Sequence, residues 1–406
     1  MSLMIEKARV LLLSNYRHTG GEYVCPAWPH YPHQYAWDSD FHAIVLAFLG
    51  EKELAKREIF RRLEHQREDG FLPRMIFKKR RYGWLRDLES YFFNGRCHSD
   101  SSQPVVIAQA LKWIDDDAFT RDVFERVLKV FLYFIEKQDP DGDGLISSFH
   151  PVETGRDASP EFDRFIWRIP GKHRLLNTAL QILSWAKWSA KYRLLGWDVK
   201  KIWQSGGVDI EDLMVNTIWV DGMYLMAEFA PPEKQQKIRQ LASRTEQAIL
   251  NLCWDKEDKM FYALDRENKF IKTLTVGNLF PLLLPNLPRE QARILVDNLT
   301  DPAKFWTPYP IPSVAVNDRR FDGANKGKFL LCNWDGPTWI NTNWYLIQGL
   351  LRHGYGEVAR EVAQRTLAMV EREGFWEFYN PFTGKGMRVK DFGWSTLAVT
   401  FPRLFD

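Results

Sequence analysis

The chain has 406 residues, 45% hydrophobic and 26% charged, with 55 basic against 52 acidic residues for a formal charge of +3. That balance excludes an electrostatic footprint for nucleic acid or an anionic membrane surface, and no apolar run approaches the ~18 residues a membrane-spanning helix needs. Cys25, Cys97, Cys253 and Cys332 are far apart with no Cys-x-x-Cys pair, so reduced thiols in a cytoplasmic protein are expected rather than a disulfide framework or a zinc site.

Helical periodicity runs through nearly the whole chain. It predicts helices over residues 4–18, 39–50, 52–68, 101–116, 119–138, 171–195, 209–229, 232–253, 276–285, 288–299, 337–353, 355–373 and 391–402. Alternating patterns are few: Phe71 to Phe77, and Met260 to Leu264 facing Lys269 to Thr275, both expected as small hairpins. There is no βαβ rhythm and no repeat of the kind helical solenoids show. Helices in hairpins fit an all-α (α/α)6 toroid with small β-hairpin insertions, one domain covering residues 1–406. The connections 74–99, 139–169 and 302–337 are too long for idle loops. The aromatic load is high, with 17 Trp, 14 Tyr and 27 Phe. Many Trp residues stand beside Gly, Pro or Asn, where rings line a pocket and the apolar faces of a sugar are a natural ligand.

The candidate site residues come in clusters. In Tyr31-Pro32-His33-Gln34-Tyr35-Ala36-Trp37-Asp38-Ser39-Asp40-Phe41, three rings stand beside Gln34 and Asp38, and a carboxylate accepts two hydrogen bonds from a vicinal diol. The alternative makes Trp37 and Phe41 a packing pair and Asp38 a helix cap. Lys78-Lys79-Arg80-Arg81 is the basic cluster, expected to be a solvated loop because one short run supplies few phosphate contacts. Asp139-Pro140-Asp141-Gly142-Asp143-Gly144 matches the first half of a calcium-binding loop, but the twelfth position is His150 rather than Glu. A turn without a metal is therefore expected, with calcium as the alternative.

In His150-Pro151-Val152-Glu153-Thr154-Gly155-Arg156-Asp157-Ala158-Ser159-Pro160, a turn carries two acids, and Glu153 is placed to pair with Arg156 while Asp157 projects into a cleft or caps the next turn. Asn333-Trp334-Asp335-Gly336-Pro337-Thr338-Trp339-Ile340-Asn341-Thr342-Asn343-Trp344-Tyr345 sets two asparagines between tryptophans. Buried, they need a ligand or a neighbouring loop to satisfy them. Finally, Glu377 stands between Trp376 and Phe378, ahead of the turn Asn380-Pro381-Phe382-Thr383-Gly384. Either it points to water, or its aromatic neighbours raise its pKa toward a useful range.

Taken in order, Tyr31 to His42, Ser102-Gln103-Pro104-Val105, Glu153 to Pro160, Gly336 to Asn343 and Glu377 to Gly386 resemble glycoside hydrolase family 63, over residues 31–397. The resemblance implies hydrolysis of an α-glycosidic bond with inversion, with Asp157 as general acid and Glu377 as the base that activates water. It places Tyr31, Tyr35, Trp37 and Asp38 around the non-reducing sugar, and Gln103, Gly155, Trp339 and Trp344 around the rest of the pocket. The bacterial and plant mannosylglycerate and glucosylglycerate hydrolases share this chain's size and motifs, and they often carry Trp and His where it has Val152 and Arg74. Arg74 is either a bidentate ligand for a glycerate carboxylate or a surface charge. The expectation is a small carbohydrate substrate, no nucleic-acid or membrane partner and no cofactor. The rivals are an α-glucosidase of short oligosaccharides in the same family, a toroid epimerase or lyase using His33, His98 or His150, and a carbohydrate-binding protein without chemistry.

Overall fold

The computed structural model describes residues 1–77, 98–169, 173–324 and 334–406. The basic cluster 78–81, Cys97, Cys332 and Asn333 lie outside the described residues.

Helices α1 (Ser2–His18), α2 (Ala36–Phe48), α3 (Lys52–Leu63), α4 (Ile107–Ile114), α5 (Asp117–Lys137), α6 (Arg174–Leu194), α7 (Val199–Gln204), α8 (Leu213–Phe229), α9 (Pro232–Leu252), α10 (Arg289–Leu299), α11 (Ile340–Arg352) and α12 (Gly356–Glu373) are joined by two long 3-10 segments, Val276–Leu283 and Gly393–Phe405. A closed inner ring follows from which elements touch: α2 packs on α4, α4 on α8, α8 on 276–283, that segment on α11, α11 on 393–405, and this again on α2. Each inner element carries an outer one: α3 on α2, α5 on α4, α9 on α8, α10 on 276–283, α12 on α11 and α1 on 393–405. This is the (α/α)6 toroid. The sequence explains the two layers. Residues 36–47 of α2 are buried on every face, as an element enclosed on all sides requires, whereas α3 alternates Lys, Arg and Glu with buried Ala55, Ile59 and Leu63.

Two inner elements, expected as α-helices at 276–285 and 391–402, are instead 3-10 over Val276–Leu283 and Gly393–Phe405, each with a proline inside, Pro281 and Pro402. Helix 101–116 shortens to α4 because Ser101 to Pro104 run extended, with Ser101 receiving the Arg74 N–H at 2.8 Å. Helix α2 begins before Ser39, so neither Ser39 nor Asp38 is its cap; Asp38 sits inside its first turn.

Of the two expected hairpins, the first is corrected and the second forms only around its turn. Strand β2 (Met75–Ile76) pairs with β1 (Gln34–Tyr35), and the strands near 260–265 pair outward: β4 (Trp254–Asp255) with β5 (Met260–Phe261), and β3 (Ile210–Glu211) with β6 (Leu264–Asp265). The expected facing of 260–264 and 269–275 forms in part: Leu264 bridges Phe270, the Asp265 N–H donates to the Lys269 carbonyl at 3.0 Å and the Ile271 N–H to the Ala263 carbonyl at 2.8 Å. Alternation marks a strand but not its partner. The hairpin that matters had no sequence expectation: β7 (Trp376–Tyr379) with β8 (Gly386–Lys390).

Candidate active site

The N-terminal ends of the inner elements gather the site. β1 leads into α2, Ser102 and Gln103 precede α4, Trp339 is the N-cap of α11, and β7 precedes the final 3-10 segment. Helix N-termini present unpaired N–H groups and partial positive charge, a setting that favours carboxylates such as Asp38.

Glu377 is 3% exposed. Its strand is fixed by Trp394, whose Nε1 donates to the Glu377 carbonyl at 3.1 Å, and by the two bonds that Tyr379 exchanges with Thr338, at 2.8 and 3.0 Å. The β7–β8 register slips between Trp376, opposite Lys390, and Phe378, opposite Met387, so two steps on one strand span three on the other. Arg388 lies in that bulge at φ 68°, and the bulge turns it toward Glu377. Arg388 Nη1 and the Tyr31 hydroxyl both donate to Glu377 Oε1, each at 3.0 Å. Glu377 Oε2 is buried and has no hydrogen-bond partner among the described residues. Burial raises the carboxyl pKa; Arg388 and then Tyr31 pull it back, and Asp157 adds to the rise.

Asp157 is reached through a turn built with care for its height. His150 caps the 3-10 turn Pro151–Thr154, and Glu153 closes the capping box. Glu153 does not pair with Arg156 as the sequence suggested. Its carboxylate accepts from the N–H groups of Phe149 (2.7 Å), His150 (3.2 Å) and Ser102 (3.3 Å), and so ties the turn to the segment before α4. Gly155 follows at φ 70°, and a Cβ there would come within 2.5 Å of the Trp37 ring; only glycine lets the turn rest on that indole. Arg156 is drawn inward to Asp212, to Glu161 at 2.8 Å and to Thr275 Oγ1 at 3.2 Å. Arg156 therefore serves the scaffold, and half-buried Asp157 is left near Asp38 and Glu377, whose carboxyl groups it pushes up.

Asp38 completes the carboxylate group. Burial raises its pKa to about 8, with Glu377 and Asp157 adding to the rise and Arg74 opposing it. Arg74 is buried, not a surface charge; its Nε donates to Ser101 Oγ at 3.2 Å, and no ion pair engages it among the described residues. Gln103 Oε1 accepts from the Trp37 N–H at 3.4 Å and steadies the start of α2. Tyr31 and Tyr35 meet edge to face at 5.9 Å. Beneath them Trp334 and Trp339 stack at 4.0 Å, Trp37 lies 6.2 Å from Trp334, and Trp394 stands edge-on to Trp37 and tilted against Phe392. Asn341 Oδ1 and Trp339 Nε1 are buried without a partner among the described residues.

The structure does not bring every candidate to this place. Gln34 points the other way and donates to the carbonyl of Glu58 at 3.3 Å. Asn343 is satisfied by a neighbouring loop, donating to the Pro310 carbonyl at 2.8 Å and Thr366 Oγ1 at 2.9 Å and accepting from the Ile311 N–H at 3.2 Å. Trp344 packs against Phe41 and Tyr345, with its Nε1 on Thr400 Oγ1 at 3.2 Å, in the wall between inner elements. For Asn343 the helix explains the loss: two residues on from Asn341, it leaves α11 on nearly the opposite side, though the sequence sets the two close together. Val152 is buried within the turn. Arg388 was missed, and its signal was the turn at Asn380 to Gly384, which folds Arg388 back over Glu377.

Residues 31–395 match the family described as mannosylglycerate hydrolase MGH1-like glycoside hydrolase domain. The chain is 28% identical to mannosylglycerate hydrolase MGH1 of Selaginella moellendorffii, over 99% of this chain and 85% of that one. It is 26% identical to the glucosylglycerate hydrolase of Mycolicibacterium hassiacum, over 91% of each. Among solved structures, it resembles the mannosylglycerate hydrolase of Thermus thermophilus in complex with Tris and D-glycerate, with a TM-score of 0.86 at 25% identity, over 98% of this chain and 100% of that one. With the toroid and its carboxylates in place, these likenesses identify the chain as a glycoside hydrolase of the MGH1-like mannosylglycerate hydrolase family.

Proposed function

We propose that the chain is a cytoplasmic, inverting exo-α-glycosidase that hydrolyses a 2-O-α-mannosyl or 2-O-α-glucosyl glycerate, with Asp157 as general acid and Glu377 as general base. The observation that carries this reading is the asymmetry of Glu377. Arg388 and Tyr31 both donate to Oε1, and Oε2 has no donor among the described residues. An ionised carboxylate held by one oxygen has the other available to take a proton from water. Asp157, electrostatically coupled to it, protonates the leaving oxygen while that water attacks the anomeric carbon from the opposite face. The C–O bond to glycerate breaks, the proton from Asp157 goes to the departing hydroxyl, and the proton from water goes to Glu377. Asp38 and the Tyr31–Tyr35 rings receive the sugar. Arg74 supports the glycerate half, since a buried guanidinium with no ion pair among the described residues suits a carboxylate ligand. Cys25 and Cys253, buried and in no disulfide among the described residues, fit a reducing compartment.

The test is a panel of α-mannosyl- and α-glucosylglycerate and p-nitrophenyl α-glycosides, with the first-formed anomer read by NMR. Inversion to the β-sugar is expected, and a retained α-anomer sinks the role given to Glu377. In Arg74→Met, KM for the glycerate substrate rises about tenfold or more while the uncharged aryl glycoside is little affected. Equal losses on both substrates remove Arg74 from the glycerate site.

A further inference from the structure

The turn that carries Asp157 is tied to the inner ring by a buried polar cluster. Arg156, Ser159, Glu161, Asp212 and Thr275 are each 2% exposed or less. Arg156 Nη2 meets Asp212 Oδ2 and, at 2.8 Å, Glu161 Oε2, while its Nη1 donates to Thr275 Oγ1 at 3.2 Å and to Ser159 Oγ at 3.4 Å. The Glu161 carboxylate closes the network from the other side. Ser159 Oγ donates to its Oε2 at 2.7 Å, and Thr275 Oγ1 donates to its Oε1 at 3.0 Å.

The two far anchors are helix caps. Asp212 Oδ1 accepts from the Val215 N–H at 2.9 Å at the start of α8, and Thr275 Oγ1 accepts from the Gly277 N–H at 3.2 Å at the start of the 3-10 segment Val276–Leu283. The guanidinium lies so close to that segment that a Cβ on Gly277 would come within 2.9 Å of Arg156 Nη2. Arg156 thus joins the Asp157 turn to the N-terminal ends of two inner elements that pack on each other.

A buried guanidinium between two carboxylates adds little net stability, because desolvation offsets much of the Coulomb attraction. What it supplies is geometry, since a planar fork suits few arrangements of its acceptors. Apolar packing already holds the far end of the turn, where Ala158, Phe162 and Ile166 cluster with Val208, Ile210 and Ala263. The polar cluster fixes the residue next to Asp157 instead, and a catalytic group misplaced by ~1 Å can lose ~100-fold in rate.

Resting on the reading of Asp157 as general acid, we propose that Glu161 is a positioning residue for it: acting through Arg156, and together with Asp212, Glu161 sets the direction in which the Asp157 carboxyl points. Both Glu161 oxygens are engaged inside the cluster, so its effect on the reaction passes through Arg156.

The test compares two leaving groups in Glu161→Gln, which keeps the size of the side chain and the apolar packing of the turn. One substrate is the preferred glycosyl glycerate, whose leaving oxygen needs a proton; the other is the 2,4-dinitrophenyl glycoside of the same sugar, whose leaving group does not. On the glycerate substrate kcat is expected to fall about tenfold or more with KM changed by less than about twofold, while kcat on the aryl glycoside changes by less than about threefold. A merely structural role would lower both alike. Arg156→Lys keeps the charge but loses the fork, should show the same selective loss, and carries the test if Glu161→Gln does not fold. Equal losses on the two substrates, or no loss on either, overturn the proposal. Asp157→Asn measured alongside tells two failures apart. If that variant alone is selective for the leaving group, the acid stands and the positioning role falls; if it too loses equally on both substrates, the acid assignment and the positioning role fall together.

Discussion

Glu377 and Asp157 have the same functional group in opposite settings. Glu377 is held on a bulged hairpin, nine-tenths or more buried, with an arginine and a tyrosine on one oxygen. Asp157 stands half-exposed at the end of a turn whose own arginine has been drawn away into the scaffold. The difference suits the two roles proposed for these carboxyl groups. Under the roles proposed, the base has a fixed cation in a place dry enough to order one water, while the arginine next in sequence to the acid is engaged by Asp212 and Glu161.

The sharpest way to break this pairing is to remove each carboxyl and vary the leaving group. Asp157→Asn and Glu377→Gln are each expected to lower kcat on the glycerate glycoside by about 100-fold to 10⁴-fold. A 2,4-dinitrophenyl glycoside departs without protonation, so it should restore much of the rate to Asp157→Asn and none to Glu377→Gln. Rescue of the glutamate variant instead would exchange the two roles.

The next effect is smaller and tests the cation. Arg388 is the largest of the charges that pull Glu377 back down. In Arg388→Met the carboxyl pKa rises further, so the ionised base appears only at higher pH. The acidic limb of kcat/KM is expected to move upward in pH, with a loss of about tenfold at neutral pH that shrinks as pH rises. Tyr31→Phe should move the same limb by less, because its hydrogen bond ranks below Arg388 among the causes. A pH-independent loss in Arg388→Met would mean that the arginine holds only the hairpin.

The sequence carried the toroid because enclosed helices such as α2 are apolar on every face and outer ones such as α3 are not. It carried Asp157, Glu377 and Asp38 because each sits in a local motif. It did not carry what depends on contact between distant segments. Glu153 beside Arg156 in sequence bonds Ser102 instead, Gln34 turns to Glu58, and Asn343 is spent on the Pro310 loop. Arg388 needed a strand pairing and a register slip before it met Glu377. Side-chain direction and long-range register, not residue type, were the missing information.

The smallest effect separates function from stability at Asp38. Burial raises its folded pKa from 3.8 to about 8, so between those values the folded protein holds a proton that the unfolded chain has released. Folding then takes up protons, and its free energy becomes less favourable as pH rises through that window, with no such contribution below it. Asn cannot ionise, so Asp38→Asn removes this term. Its Tm relative to the unsubstituted protein should therefore climb between pH 5 and pH 8.5, by about 2 °C or more, while kcat/KM falls because the sugar loses the carboxyl group proposed to meet its hydroxyls. Buried Glu58 and Asp40, raised to about 8 and about 6, titrate in the same range, but they are present in both proteins and drop out of the difference. A Tm difference that stays constant with pH would show that Asp38 is already ionised in the folded site, compensated by Arg74, and the carboxylate group would then have two permanent anions facing Asp157 rather than one.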